Sequence, residues 1–312
     1  ANKMRSHQMK YESAPRLGCS NKLHKFFRKI WVPDSVCDYI VSGIKGIHGW
    51  KDDRIREKMA QELHFTNQPA LAELKNNGYL YFDDETINLD APIKKAKTLF
   101  SEKKCGELVE SYSGQKPGVL ITLMRDSDFI PHRELFDFFI SDKITSIACS
   151  YFNCVPVLTN IRLWWSPPND SIKQSQLFHL DGEDKTQLKF FFNIYEVTEE
   201  TGPFTFLCKK ESRKLISKIP KWRAKLDDEK VFKELPTAKL HKLLGPPGKL
   251  SVVDTSKCLH YGSRGNRRDR VMIMFQFTRR TAPKIDAPIW SHEISNILKS
   301  CNKIQRKVLN FA

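Results

Sequence analysis

Three side chains in this sequence, His179, Asp181 and His260, have the types and spacing to hold a metal ion. His179-Leu180-Asp181 closes a segment, Gln176–Leu180, that reads as a strand, and the two-residue period of a strand turns imidazole and carboxylate to one face. His260 follows the strand-like run Leu250–Asp254, precedes the turn Tyr261-Gly262-Ser263, and supplies a third ligand. Two histidines and a carboxylate on one octahedral face leave three positions open, as non-haem Fe(II) oxygenation requires. Zinc hydrolysis accepts the same set. Arg270 heads the alternating strand Arg270–Thr278 and shares a face with Met272, Met274 and Gln276. A guanidinium aimed into a protein interior is costly unless an anion pairs with it, and its planar fork suits a carboxylate. Capping of the strand against Asp269 or solvent is the alternative role for Arg270.

The elements that must position these groups fall into two regions. From about residue 21 to 155 the apolar residues recur at helical spacing, as in Val36-Cys37-Tyr39-Ile40-Ile44 after the start signal Pro33-Asp34-Ser35. A helix is expected over Pro69–Asn76, ending at Asn77-Gly78 before the extended Tyr79–Phe82, and a further buried helix over Glu134–Phe152. After Pro156 the period becomes two, with strands expected at Asn160–Ser166, Gln176–Leu180, Leu188–Val197, Phe204–Leu207, Leu250–Asp254 and Arg270–Thr278. Short strands separated by Pro, Gly, Asn and Asp suggest an antiparallel sandwich or barrel. Residues 208–250 carry 13 Lys/Arg against 5 acids, and 208–247 reads as a helical insertion on the barrel surface. Residues 291–312 form an expected C-terminal helix with Ile294, Ile297, Leu298, Cys301, Ile304 and Val308 on one face, packing back on the domain. The expected layout is thus a basic arm (1–20), one domain (21–290) with its β core at about 156–280, and that last helix.

Composition narrows the classes. With 312 residues, 40% hydrophobic and 20 Phe, the chain has material for a large core, which excludes wholesale disorder and coiled-coil rods. No stretch approaches the ~18 consecutive apolar residues of a membrane span. Eight cysteines form no CxxC pair and read as reduced thiols of a cytoplasmic protein. The first 30 residues hold eight Lys/Arg against the single acid Glu12, without the apolar core of a secretory signal. A net charge of +16 favours anionic partners without naming one, and oligomeric state is not legible.

Taken together, His179-Leu180-Asp181, Asp184, Leu188–Phe191, the run Val197-Thr198-Glu199-Glu200-Thr201-Gly202-Pro203-Phe204, and His260-Tyr261-Gly262-Ser263-Arg264-Gly265-Asn266 with Arg270 resemble the phytanoyl-CoA dioxygenase-like family of Fe(II)/2-oxoglutarate oxygenases. The match covers about residues 70 to 280, and its order is more specific than any single motif. The resemblance implies an α+β fold: a double-stranded β-helix (jelly-roll, cupin-like) core with flanking N-terminal helices and a helical insertion. It implies Fe(II) on His179, Asp181 and His260, 2-oxoglutarate as cosubstrate with its distal carboxylate on Arg270 and Ser263, and Lys189 as a cosubstrate or substrate contact. The implied reaction consumes O2 and 2-oxoglutarate, releases succinate and CO2, and hydroxylates a small organic molecule. Asp181 argues against halogenation, because halogenating relatives keep a small residue there. The chain departs from the family after Phe206-Leu207, where Cys208-Lys209-Lys210-Glu211-Ser212 replaces the usual Gly-Ser-His turn.

Two other readings stand beside this one. Arg264, Arg267, Arg268, Arg279 and Arg280 near the expected site mouth could meet phosphates of a nucleic acid, or of a nucleic-acid-bound protein, with the same iron chemistry. No nucleic-acid-binding motif accompanies them, so this reading is not favoured. A non-catalytic ligand- or partner-binding member is the third, opposed by the intact set of His179, Asp181, His260 and Arg270.

Overall fold

Helices α1 (Asp34–His48), α2 (Trp50–Glu62) and α3 (Gln68–Asn77) lead into strand β1 (Tyr79–Phe82). The computed structural model describes residues 33–63, 65–82, 89–105, 120–219, 225–283 and 290–311, with Leu23 and Phe26; the arm 1–20 lies outside them. Helix α3 starts where the Asn67 side chain accepts a hydrogen bond from the Ala70 N–H, and stops at Gly78, whose φ of 83° turns the chain into β1. A β-carbon at Gly78 would also stand 2.6 Å from the Cys258 sulfur, so this turn admits only glycine.

There follow α4 (Asp90–Cys105), β2 (Ile121–Arg125), α5 (Arg133–Phe139), α6 (Asp142–Phe152), β3 (Val157–Ser166) and β4 (Gln187–Asn193). Next come β5 (Thr205–Phe206), α7 (Lys209–Lys218), α8 (Asp228–Glu234), β6 (His241–Lys242), β7 (Leu250–Val253), β8 (His260–Tyr261) and β9 (Arg270–Thr278). Helices α9 (Ile294–Ser300) and α10 (Lys303–Val308) complete the described elements. The strands make two antiparallel sheets: six strands in the order β1-β7-β4-β9-β3-β2, and three in the order β6-β5-β8.

Residues directly opposite on antiparallel strands share a face. The pairs Lys189–Gln276, Phe191–Met274 and Asn193–Met272, with Asn160–Gln276 and Ser166–Arg270, therefore assign one face of the large sheet. That face meets the small sheet through Phe191, Met272, Met274 and Val253 against Phe204, Phe206 and Leu243, with Phe191 and Phe204 ring centroids 4.5 Å apart. The other face carries Phe190, Phe192, Ile273, Phe275 and Phe277 into a core shared with α5, α6, α9 and α10. Each of these fully buried phenylalanines contributes roughly 1.5–3 kcal/mol. Helices thus cover one side of the large sheet, and the small sheet closes the other.

Several expected elements take a different form. The segment Gln176–Leu180 is no continuous strand: Phe178 bridges Leu226 and His179 bridges His260, so the partner changes from one residue to the next. Expected helix 134–152 breaks at Ile140-Ser141, where Ser141 adopts an extended conformation and starts α6. The expected C-terminal helix breaks at Cys301-Asn302, because Asn302 and Gln305 cap α10 reciprocally. The 208–247 insertion does more than sit on the surface. It supplies β6 to the small sheet, and Leu215, Leu226 and Val231 pack with Phe178, Leu207, Leu259 and Tyr261.

Candidate metal centre

His179 and His260 face each other because their backbones do. Each donates its amide to the other's carbonyl (2.9 and 3.0 Å), and the rings lie 4.4 Å apart. In an antiparallel pair of this kind both side chains emerge on one side. The His179 Nδ1 lies 2.8 Å from the Leu177 carbonyl and the His260 Nδ1 2.9 Å from that of Cys258. A carbonyl only accepts, so each Nδ1 carries the proton and each Nε2 presents a lone pair. Asp181 completes the group, with Oδ1 3.8 Å from His179 Nε2 and Oδ2 3.5 Å from His260 Nε2. Three acceptors thus converge, all within 4.8 Å of one another. Acceptors packed this way repel unless a cation lies between them. Burial holds the His260 pKa down to about 4 against the pull of Asp181, so an imidazolium proton does not fill that role at neutral pH.

A turn at residues 254–258 holds this arrangement. Asp254 is fully buried and accepts hydrogen bonds from the Tyr151 hydroxyl and from the Ser256 amide and hydroxyl, and it pairs with Lys257 at 2.9 Å. The Asp254 N–H donates to the Gly78 carbonyl (2.7 Å), and the Thr255 carbonyl accepts from the Asp181 N–H (3.0 Å). One turn thereby ties α6 and the α3–β1 junction to both halves of the candidate metal site. A cleft of about 570 Å³, bordered by Asp38, Tyr39, Leu180 and Lys185, reaches Asp181 from outside.

Lys189 reaches Asp181 directly, with Nζ 2.7 Å from Oδ2. Burial disfavours the charge of both groups, yet their attraction dominates, lowering the Asp181 pKa and raising that of Lys189. The structure therefore puts Lys189 on the carboxylate of the candidate ligand Asp181. Arg270, only 3% exposed, lies farther along the same inner face. Its Nη1 donates to the Gly202 carbonyl at 2.8 Å and its Nη2 stands 3.5 Å from the Ser166 hydroxyl; Nε has no partner among the described residues. Asp269 does not pair with it, being bonded to Trp165 and Lys104. Burial alone pushes the Arg270 pKa down to about 10. Ser263 joins through a chain: its hydroxyl donates to Asn266 Oδ1 (2.6 Å), and Asn266 Nδ2 donates to the Ser166 carbonyl (3.4 Å). The structure brings together His179, Asp181, His260 and Lys189 at one place and Arg270 with Ser263 at another on the same inner surface. Ser166, Asp254 and Tyr151 are positioning residues that no sequence motif marked, and Gly202, part of the quoted Gly202-Pro203-Phe204 run, proves to be the backbone partner of Arg270. Four of the five arginines considered for phosphate contacts are committed to acids: Arg264 to Asp228, Arg268 to Glu200, Arg279 to Asp184 and Arg280 to Asp53.

No family model and no curated protein matches this sequence. Solved structures do match its fold. EctD from S. alaskensis in its apoform aligns with a TM-score of 0.51 at 12% identity, over 73% of this chain and 85% of that one. Its likeness to this chain is one of fold. EctD has also been solved with bound Fe, and with 2-oxoglutarate and 5-hydroxyectoine. SnoK, a non-heme alpha ketoglutarate dependent carbocyclase from nogalamycin biosynthesis, aligns at 12% identity and a TM-score of 0.49, over 78% of this chain and 92% of that one.

Proposed function

We propose that this protein is an Fe(II)- and 2-oxoglutarate-dependent oxygenase of the phytanoyl-CoA dioxygenase-like group, built on a double-stranded β-helix and hydroxylating a small polar molecule. The observation that carries the reading is the pairing of two unmet demands on one inner surface. His179, Asp181 and His260 converge as acceptors, of which the Lys189 cation meets only one oxygen of Asp181, and the buried Arg270 guanidinium meets no carboxylate among the described residues. A zinc hydrolase would need the first and has no use for the second. The donor set, two imidazoles and a carboxylate with no thiolate, suits ferrous iron. A dicarboxylate that chelates the metal at one end satisfies Arg270 with the other.

Iron with chelated 2-oxoglutarate supplies the activation of O2, with succinate and CO2 as co-products. The chain's residues supply placement. The Nδ1–H bonds of both histidines fix ring orientation, and Lys189 holds Asp181 Oδ2, which would leave Oδ1 free to take part in holding a metal. Arg270 and the Ser263–Asn266–Ser166 chain fix the cosubstrate's far end. For the substrate, the inner face near Lys189 offers Gln276, 1% exposed, beside Asn160; among the described residues neither amide atom of Gln276 nor Asn160 Oδ1 has a hydrogen-bond partner. Such groups are matched by a molecule bearing both donors and acceptors.

Anaerobic titration of the metal-free protein with Fe(II) and then 2-oxoglutarate tests the assignment through the visible charge-transfer band of the chelate. The band is expected in wild type and absent in His260→Ala. In Arg270→Ala it should need roughly 10- to 100-fold more 2-oxoglutarate, the loss of hydrogen bonds from a charged group. Iron binding without the band in wild type would overturn the cosubstrate, and failure to bind iron would overturn the metal.

A further inference from the structure

A second cluster of metal-ligating side chains lies outside the site described above, at the base of the 208–247 insertion. Cys208 precedes α7, Glu211 sits in the first turn of that helix, and His241 is in β6 opposite Phe206. Their ligand atoms all lie within 4.8 Å of one another. The Cys208 sulfur and Glu211 Oε2 are 3.4 Å apart. Zinc bound tetrahedrally by sulfur at ~2.3 Å and oxygen at ~2.0 Å would separate those two atoms by about 3.5 Å.

Each ligand is also held for the task. The Lys239 amide donates to Glu211 Oε1 at 3.0 Å, leaving Oε2 toward the sulfur. The His241 ring packs on Phe206 (5.4 Å) and Tyr79 (4.6 Å), and neither ring nitrogen has a hydrogen-bond partner among the described residues. Burial, helped by Lys239, lowers its pKa. Burial raises the pKa of the Cys208 thiol, so a metal would displace a proton there. Of the neighbouring lysines, Lys209 is turned to the Lys75 carbonyl and Lys242 to Glu199, while the charge of Lys239 is felt at His241.

We propose that Cys208, Glu211 and His241 form a second metal centre, for a zinc-type divalent ion with mixed sulfur, oxygen and nitrogen ligands and a solvent molecule in the fourth position. The insertion leaves the core after β5 and returns through β6, so an ion shared by Cys208, Glu211 and His241 closes its base. A metal clip of this kind removes loop-closure entropy from the unfolded chain. The competing account is a thiol merely donating to Glu211 across the first turn of α7.

Cobalt(II) distinguishes the two, because thiolate-to-cobalt charge transfer in the near ultraviolet requires a sulfur ligand. The site at His179, Asp181 and His260 has none. Titration of metal-free full-length protein should give this band in wild type and in His260→Ala. It should be lost in Cys208→Ser and His241→Ala, with wild type binding one more equivalent than Cys208→Ser. Glu211→Gln, which keeps thiol and helix, should need roughly 10-fold or more cobalt to reach the same band. Absence of the band in wild type at two equivalents of cobalt would overturn the proposal, as would its persistence in Cys208→Ser. Circular dichroism of each variant identifies loss of fold, and Glu211→Gln decides if the others unfold.

Discussion

Lys189 shows how one contact assigns a role at the scale of a residue. A basic group in this position could hold the cosubstrate or orient the metal ligand, and the 2.7 Å pair with Asp181 favours orientation. Replacing it with Met leaves a partly buried carboxylate without its cation, so urea unfolding should report a loss of about 3–5 kcal/mol. The 2-oxoglutarate titration midpoint of Lys189→Met should stay within about threefold of wild type, far from the shift expected of Arg270→Ala. A shift as large as that of Arg270→Ala would return Lys189 to the cosubstrate. His179, Asp181, His260 and Arg270 were legible in the sequence as an HxD pair, a second histidine before a turn, and a charge inside an apolar strand, although the strand expected over Gln176–Leu180 is replaced by isolated bridges. The contacts of Arg270 with Ser166 and with Gly202 were not legible, although Gly202 stood in a quoted motif, since they join residues 104 and 68 positions apart in sequence.

At the scale of elements, the 254–258 turn holds the candidate metal site together. Asp254→Ala removes a buried carboxylate from four donated contacts and strands Lys257, so a loss of about 3–5 kcal/mol is expected by urea unfolding. Tyr151→Phe removes one of those contacts and should cost about 1.5–3 kcal/mol. If Asp254→Ala unfolds at the wild-type midpoint, the turn does not support the site. Periodicity located most of this frame: Arg270–Thr278 is β9 residue for residue, and Leu250–Asp254 ends one residue past β7. It did not see that β1 and β2, short edge strands in a helical setting, join the large sheet. It also ran helices through 140–141 and 301–302, where apolar spacing continues across a break made by the caps. For the insertion, lysine-rich composition masked a few apolar side chains that reach the core.

Across the whole molecule, the helical flank and the last described segment are joined through Arg56. This 1%-exposed guanidinium donates to Asp52, to the Val155 and Lys307 carbonyls and to Asn310 Oδ1. Burial alone would raise the Asp52 pKa, but Arg56 and Lys307 outweigh it and lower the value below that of a free Asp. A depressed folded pKa adds stability that is present above the unfolded value, about 3.9, and is lost as pH falls through the folded one. Wild-type stability should therefore fall as pH is lowered from about 5 toward 2, and Asp52→Asn should be less stable at pH 7 with a flatter acid limb. Parallel acid limbs in thermal melts of the two proteins would show that Asp52 is not a source of the slope. The same guanidinium has a bearing on the order of synthesis. Its partners at 307 and 310 lie 251 and 254 positions downstream, and β1 waits equally for β7. On the ribosome the flank emerges before the β core yet is completed after it: its buried arginine stays half-satisfied until Asn310 has left the exit tunnel.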